Sequence, residues 1–368
     1  MHANAIATSI DKGEGAGEAC LAVTFTGTAR DYFRIWLVNL CLSLATLGVF
    51  SAWAKVRKQR YFHSHTLLDG VPFQYLGRPF AILQGRVVAA TFLLAYSLLS
   101  YIAPEVAPFM LAAAVVAAPW VILRSAAFAA HFRAHRNVRF QFKSDYLVAV
   151  ATLYWLGAIP VLVTGSLFEW WGQDLLMLAV SGVSAMLFPL WWWRLKRFLL
   201  ANLSYGGVAV SFEVRAWPFY RVYLQGMAMM LPCAAASVGV GFFLQDAHEA
   251  LAMVSLLPMG LGYVLMTAHV EAQSGNLLWN HCRLGPVRVQ ATLRTWKLAQ
   301  LYVTNSAAIL VSCGLLLPWA VIRMKRYRAS CLTVTVDGDL ARLRGTEHTR
   351  VAAAGAEISE AFQLDMAL

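Results

Sequence analysis

The chain has 368 residues, 59% hydrophobic and 13% charged, with a mean hydropathy of +0.58 and a formal net charge of +11. An ordinary soluble domain is roughly 45–50% apolar and about 25% charged, so this composition excludes a disordered or collagen-like chain and points to a polytopic α-helical membrane protein. In such a chain an excess of Lys and Arg reports orientation rather than nucleic-acid binding.

Residues 1–20 form a polar tail with Asp11, Lys12, Glu14 and Glu18. No basic start leads into an apolar run and a small-residue cleavage site, so the first apolar segment is expected to act as an uncleaved insertion signal. A membrane domain is expected over 21–340, and an Ala-rich, terminally acidic tail over 341–368. Apolar segments fall at about 32–54, 80–103, 107–127, 146–168, 174–195, 219–243, 249–270 and 298–322. Six cysteines (Cys20, Cys41, Cys233, Cys282, Cys313, Cys331) contain no C-x-x-C pair. No disulfide framework is expected, as suits a bacterial inner membrane facing a reducing cytoplasm.

The map of basic residues organises these segments. Lys and Arg are missing from 35–54, 87–123, 144–193, 222–282 and 298–322. Three of these gaps are long enough for two spans of about 20 residues each. Their short central loops carry Glu105, then Glu169 and Asp174, then Asp246 and Glu249. The positive-inside rule places the basic clusters, and both termini, in the cytoplasm. The gaps 35–54 and 298–322 hold one span each, yet basic residues flank both sides. Either each is one plain span, or each is a pair of half-depth helices turning at Thr46-Leu47-Gly48 and Ser312-Cys313-Gly314.

A repeat runs through the chain. Anchors at Trp53, Trp120, Leu190 and Trp319 are followed four residues later by Arg57, Arg124, Arg194 and Arg323. Eight residues after the anchors come Tyr61, Phe128, Phe198 and Tyr327. Offsets of four and eight share one helical face, so each span is expected to leave the membrane as an amphipathic helix whose Arg snorkels at headgroup level. Gly70, Asn137, Gly207 and Asp337-Gly338 then mark turns beside alternating segments such as Val71–Tyr75, 138–142 and Val208–Phe212. Period-two alternation predicts strands, with hairpins near 66–77, 133–143, 203–214 and 280–292. Ala22–Thr26 resembles the outgoing half of a further hairpin and Leu332–Val336 the incoming half. The expected fold is a fivefold repeat of membrane hairpin, amphipathic helix and β-hairpin, with the strands joined in a cytoplasmic sheet layer.

The wording of the first unit, Phe25-Thr26-Gly27, Trp36-Leu37-Val38-Asn39, Thr46-Leu47-Gly48, Trp53-Ala54-Lys55-Val56-Arg57 and Arg60-Tyr61, resembles the YjgN-like family of bacterial inner-membrane proteins. The resemblance extends over roughly 20–340. It implies a polytopic inner-membrane protein and carries no assigned activity or catalytic residues.

No phosphate loop, H-E-x-x-H or G-x-S-x-G motif occurs, so no enzymatic activity, cofactor or catalytic residue is expected. No acidic residue is placed mid-span, which weighs against a proton-coupled carrier. His131 and His135 lie four apart, and His63 and His65 lie in another unit, but without partner ligands no metal site is expected. The amides at membrane depth, Asn39, Asn305, Gln84 and Gln225, are the leading functional candidates. They line a polar path or, more ordinarily, hydrogen-bond between helices. The repeat arginines Arg57, Arg124, Arg194 and Arg323 are candidates for anionic lipid headgroups. The reading is thus a small-solute channel or transporter, or alternatively a non-transporting scaffold or lipid-interacting protein, with the bilayer as partner and no nucleic acid.

Overall fold

The structure, a computed structural model, describes residues 18–135, 138–152, 154, 173–205, 207–245 and 253–337. Residues 1–17 and 338–368, Asn137, Glu169, Asp246, Glu249 and most of the segment 146–168 lie outside the described residues.

The protein is mostly helical, with a large antiparallel sheet at one end of the helices. Strand β1 (Glu18–Phe25) leads into α1 (Ala29–Ala45) and α2 (Ser51–Ser64), which reverse within a few residues. Strands β2 (Thr66–Leu68), β3 (Val71–Pro72) and β4 (Gln74–Tyr75) follow, then α3 (Pro79–Ile102) and α4 (Ala107–His131). Next come β5 (Arg133–His135), β6 (Val138–Phe142), a helical stretch at 146–152, and α5 (Gln173–Ala201). Strands β7 (Leu203–Tyr205) and β8 (Val208–Phe212) precede α6 (Ala216–Phe243) and α7 (Leu256–Asn280). The described chain closes with β9 (Cys282–Leu284), β10 (Val287–Ala291), α8 (Thr295–Val311), α9 (Leu317–Ser330) and β11 (Leu332–Asp337).

Among the described residues, four helical stretches are long and apolar enough to cross a membrane: Pro79–Ile102, Pro104–His131, Ala216–Phe243 and Met253–Asn280. Of the apolar window in the first, only 6% is buried within the protein, as expected of a surface whose solvent is lipid. Local chemistry fixes the ends. Pro79 opens α3, where a missing N–H costs nothing. Small residues then allow close crossing: a Cβ on Gly262 would stand 2.7 Å from the Cys233 Cβ, so α6 and α7 touch backbone to side chain.

Strands join helices through short links, so the sheet caps one end of the bundle. Its order is β3-β2-β1-β11-β10-β9-β8-β7-β6-β5-β4. The two ends of this order, β3 and β4, are separated only by Phe73. Val71–Pro72 pairs with β2, and Gln74–Tyr75 pairs with β5. The Phe73 N–H donates to the Thr66 carbonyl at 3.1 Å, and the Leu76 N–H to the Phe132 carbonyl at 2.9 Å. One extended run therefore serves neighbours on both of its edges, and the strand order returns on itself without a free edge. Asp69 and Gly70 both have positive φ, 54° and 71°, as a two-residue hairpin turn requires.

The alternation read from the sequence sorts the two faces. In β11, Leu332, Val334 and Val336 are buried, and in β10 Val287 and Ala291 are buried while Arg288 and Gln290 are exposed. The apolar face packs against helix ends in two clusters, one reaching Ala329 and Trp279, the other Ala130, Leu200 and Phe219.

Candidate functional site

The segments 32–54 and 298–322 each fold as a tight helical hairpin, α1–α2 and α8–α9. Corresponding residues lie 266 positions apart, as 39 to 305 and 54 to 320. Leu47 and Cys313 both have φ of 49°, and Gly48 and Gly314 have φ of 91° and 90°. The Phe50 N–H donates to Thr46 Oγ1 at 2.9 Å, and the Leu316 N–H to Ser312 Oγ at 3.0 Å. At the other end a tyrosine clamps the hairpin shut. The Thr28 N–H donates to Tyr61 Oη at 2.9 Å, and the Tyr61 hydroxyl donates to the Thr28 carbonyl at 3.0 Å. Tyr327 does the same at Arg294, at 3.0 and 3.4 Å. Both ends of each hairpin thus meet at the sheet. At about 1.5 Å per residue, the 17-residue α1 and α8 reach about 26 Å, against about 36 Å for the 24-residue α3.

The four predicted amides part company. Asn39 and Asn305 are buried, each Nδ2 donating across its own hairpin to the Ala54 carbonyl at 3.5 Å and the Ala320 carbonyl at 3.4 Å. Asn305 Oδ1 accepts from Arg323 Nη1 at 3.1 Å, whereas Asn39 Oδ1 is buried without a partner among the described residues. Gln84 and Gln225 are exposed on α3 and α6 and do not join the asparagines. The following Gly226 takes the contact face instead, where an added Cβ would crowd Val270 and Met266 at 3.2 and 3.3 Å.

The repeat arginines also diverge. Arg57 and Arg124 are exposed, and Arg194 and Arg323 are half-buried. Arg124 lies over the Trp120 ring at 5.6 Å and Arg323 over Trp319 at 5.2 Å, a contact that orients a guanidinium at a bilayer interface. Arg323 is further held by Thr304 Oγ1 at 2.6 Å.

Around Arg323 opens a basic cleft that sequence reading missed. A cavity of about 460 Å³ is lined by Lys297, Arg323 and Arg326 over an apolar floor of Leu301, Trp319 and Ile322. Arg326 is steadied by the Gly27 carbonyl at 3.2 Å, and Lys297 donates to Gln300 Oε1 at 3.3 Å. None of these three cations is paired with a carboxylate among the described residues. A second cavity of about 610 Å³, lined by Arg294, Lys297 and Trp296, shares Lys297 and Tyr327 with the first. The individual flanking charges were visible in the sequence. Their convergence was not, because it depends on the hairpin folding back at Gly314.

Glu271 was also missed. It forms an ion pair with Arg328 and accepts the Tyr302 hydroxyl, tying α7 to both arms of the α8–α9 hairpin. His269 lies nearby with Nδ1 3.4 Å from Thr295 Oγ1. The position of Glu271 as the sole acidic residue of α7 was the available signal. Among the described residues no group of three His, Cys, Asp or Glu is placed to hold a metal ion. His63 and His65 instead turn their Nδ1 atoms to the carbonyls of Gln59 and Tyr61 at 2.8 and 2.7 Å.

A family model described as "Bacterial protein of unknown function (DUF898)" matches residues 20–361. The chain is 21% identical over 370 residues to the Inner membrane protein YjgN of Salmonella typhimurium (strain LT2), covering 88% of this chain and 90% of the relative. It is 37% identical over 51 residues to the Inner membrane protein YjgN of Escherichia coli (strain K12), a stretch that covers 14% of this chain and 13% of that relative. No solved structure matches. The relatives' names and the apolar helices together support an inner-membrane location.

Proposed function

The chain belongs to the family "Bacterial protein of unknown function (DUF898)", and on that premise we propose that it is a non-enzymatic, lipid-interacting protein of the inner membrane that holds anionic headgroups in the cleft of Lys297, Arg323 and Arg326. The observation that carries this reading is the cleft itself: three cations without carboxylate partners among the described residues, above an apolar floor, at the mouth of a membrane hairpin. A phosphate there replaces the missing carboxylates. Each basic residue near an anionic surface contributes about 1 kcal/mol.

The reading includes orientation and symmetry. The basic helix ends face the cytoplasm by the positive-inside rule, which puts the sheet and both termini on that side. The strand pairs β2 with β3–β4, β5–β6, β7–β8, β9–β10 and β11–β1 then count as five hairpins of one repeat. In the fifth, β1 and β11 come from opposite ends of the described residues, and their register from Glu18↔Asp337 to Ala22↔Thr333 supports it.

The test uses the full chain in detergent, titrated with short-chain phosphatidylglycerol while its melting temperature is followed. The expected result is a stabilisation that phosphatidylcholine does not give and that Lys297→Asp and Arg326→Gln each weaken. Equal stabilisation by both lipids, or variants that respond like the parent, overturns the reading.

A second reading, small-solute transport, is favoured by the buried, unpartnered Oδ1 of Asn39, an acceptor that a passing solute or water would satisfy. Flux into proteoliposomes is then expected to fall when Asn39 and Asn305 become Leu; unchanged flux removes both from any path.

A further inference from the structure

We infer that the headgroup bound at the α8–α9 hairpin carries two phosphates, so that the ligand is a diphosphate-bearing phospholipid rather than a lipid with one phosphate. This inference rests on the lipid-interacting reading above and narrows its ligand class.

Two cavities, not one, flank the same residues. The first presents Lys297, Arg323 and Arg326; the second presents Arg294 and shares Lys297. One phosphate is matched by the cations of the first cavity. Arg294, exposed and without a carboxylate partner among the described residues, is left over for another. The wall between the cavities is Tyr327, whose hydroxyl is fixed on both the N–H and the carbonyl of Arg294. The partition is therefore rigid, and Lys297 stands where a bridging headgroup would cross it.

Several features argue for a lipid over a soluble diphosphate. The floor of the first cavity is apolar, and Trp319 and the 74%-exposed Trp296 stand one at each cavity, as interface aromatics do. Beyond them the hairpin keeps Val303, Leu310, Val311, Leu315 and Leu316 exposed, apolar surface that acyl chains can cover.

Asp31, in the first turn of α1, is turned to Thr28, whose hydroxyl donates to Asp31 Oδ2 at 2.6 Å while the Asp31 N–H donates to Thr28 Oγ1. It caps α1.

The test is native mass spectrometry of the full chain in detergent. The probes are short-chain diphosphatidylglycerol, short-chain phosphatidylglycerol, and inorganic pyrophosphate as competitor. The two-phosphate lipid is expected to bind about fivefold more tightly, as one added phosphate–cation contact implies. Arg294→Gln is expected to remove that preference and leave one-phosphate binding unchanged. The variant keeps the Tyr327 clamp, which uses only the Arg294 backbone, and an unchanged melting temperature without lipid verifies its fold. Equal affinity for the two lipids overturns this inference and leaves the lipid-interacting reading standing. Binding of neither lipid overturns both. Displacement of the bound lipid by pyrophosphate at equal concentration overturns the lipid assignment in favour of a soluble diphosphate.

Discussion

The two short hairpins have one backbone and two chemistries. Both turn through the same pair of positive-φ residues, and both are clamped by a tyrosine hydroxyl at the strand-to-helix link. The side chains at matching positions then differ in kind. Where α8 has Lys297, α1 has Asp31; where α9 has Arg328, paired to Glu271, α2 has Phe62, packed on Tyr32 at 4.8 Å. Trp53, the counterpart of Trp319, is covered edge-on by Phe80 at 5.2 Å, while Trp319 lines an open cleft. The shared elements are those that closing the hairpin requires. The differences gather around the cleft of Lys297, Arg323 and Arg326, the ligand site proposed above.

The sharpest way to break this comparison is at the asparagines. Arg323→Leu leaves Asn305 Oδ1 buried without its donor, which costs about 1–3 kcal/mol and is expected to lower the melting temperature clearly. Arg57→Leu removes an exposed side chain from the matching place and is expected to change stability by less than about 0.5 kcal/mol. Asn39→Leu is expected to be neutral or stabilising, because it removes an acceptor that is already unsatisfied, whereas Asn305→Leu destabilises. Thermal melts of the four variants in one detergent check this. Equal losses from Arg57→Leu and Arg323→Leu would falsify the asymmetry.

The clamps test the opposite expectation, likeness. Tyr61→Phe and Tyr327→Phe each delete two hydrogen bonds, worth about 1–2 kcal/mol in total by the usual net contribution. The two variants are expected to lose the same amount within error. A loss confined to one would mean that the hairpins share a shape but not a closing mechanism.

A charge exchange comes next in size. Lys297→Asp copies the first hairpin's residue into the second and is expected to weaken phosphatidylglycerol binding about fivefold or more, at about 1 kcal/mol per basic residue lost. Asp31→Lys is not expected to create an equal site beside Trp53, because Phe80 covers that ring. Acquisition of equal binding would show that charge alone, without the open cleft, suffices.

Parts of this were legible in the sequence and parts were not, for identifiable reasons. Hydropathy and the gaps in Lys and Arg located the long helices, because a span is a local property of some twenty residues. Period-two alternation located the strands. The positions of Leu47-Gly48 and Cys313-Gly314 marked the turns, since few residue types tolerate positive φ. What stayed hidden depends on distant partners. Tyr61 was visible as a repeating aromatic, but its role needs Thr28, 33 positions away. The pairing of β1 with β11 joins the two ends of the described chain. The exposure of Gln84 and Gln225 follows from which face α3 and α6 turn to their neighbours, and Ile82, Phe219, Val222 and Gly226 hold those faces. Glu271 was concealed by its place at the end of an apolar run, one residue beyond the segment 249–270.

The smallest effect is one of reactivity, and it tests where the hairpin tips lie. Cys313 occupies the second tip at the position of Leu47 in the first, and both side chains are exposed on the protein. If both tips rest in hydrocarbon, Cys313 and an introduced Leu47→Cys are equally shielded from a membrane-impermeant maleimide added to either face of sealed vesicles. Both react once detergent replaces the bilayer. Cys20, exposed on β1, is expected to react from one face of the intact vesicle, the cytoplasmic one on the orientation proposed above. Cys282 is the internal standard for burial as opposed to lipid shielding. It lies in the sheet, and desolvation pushes its thiol up to about 11. At pH 8 roughly a thousandth of it is thiolate, the reactive form, so it stays slow even in detergent and speeds up only as the pH rises toward that value. Labelling of Cys313 from the face opposite to Cys20 would mean that α8 crosses the whole bilayer. The half-depth placement of that tip would then be wrong, and a Leu47→Cys tip that stays shielded would show that the two hairpins reach different depths.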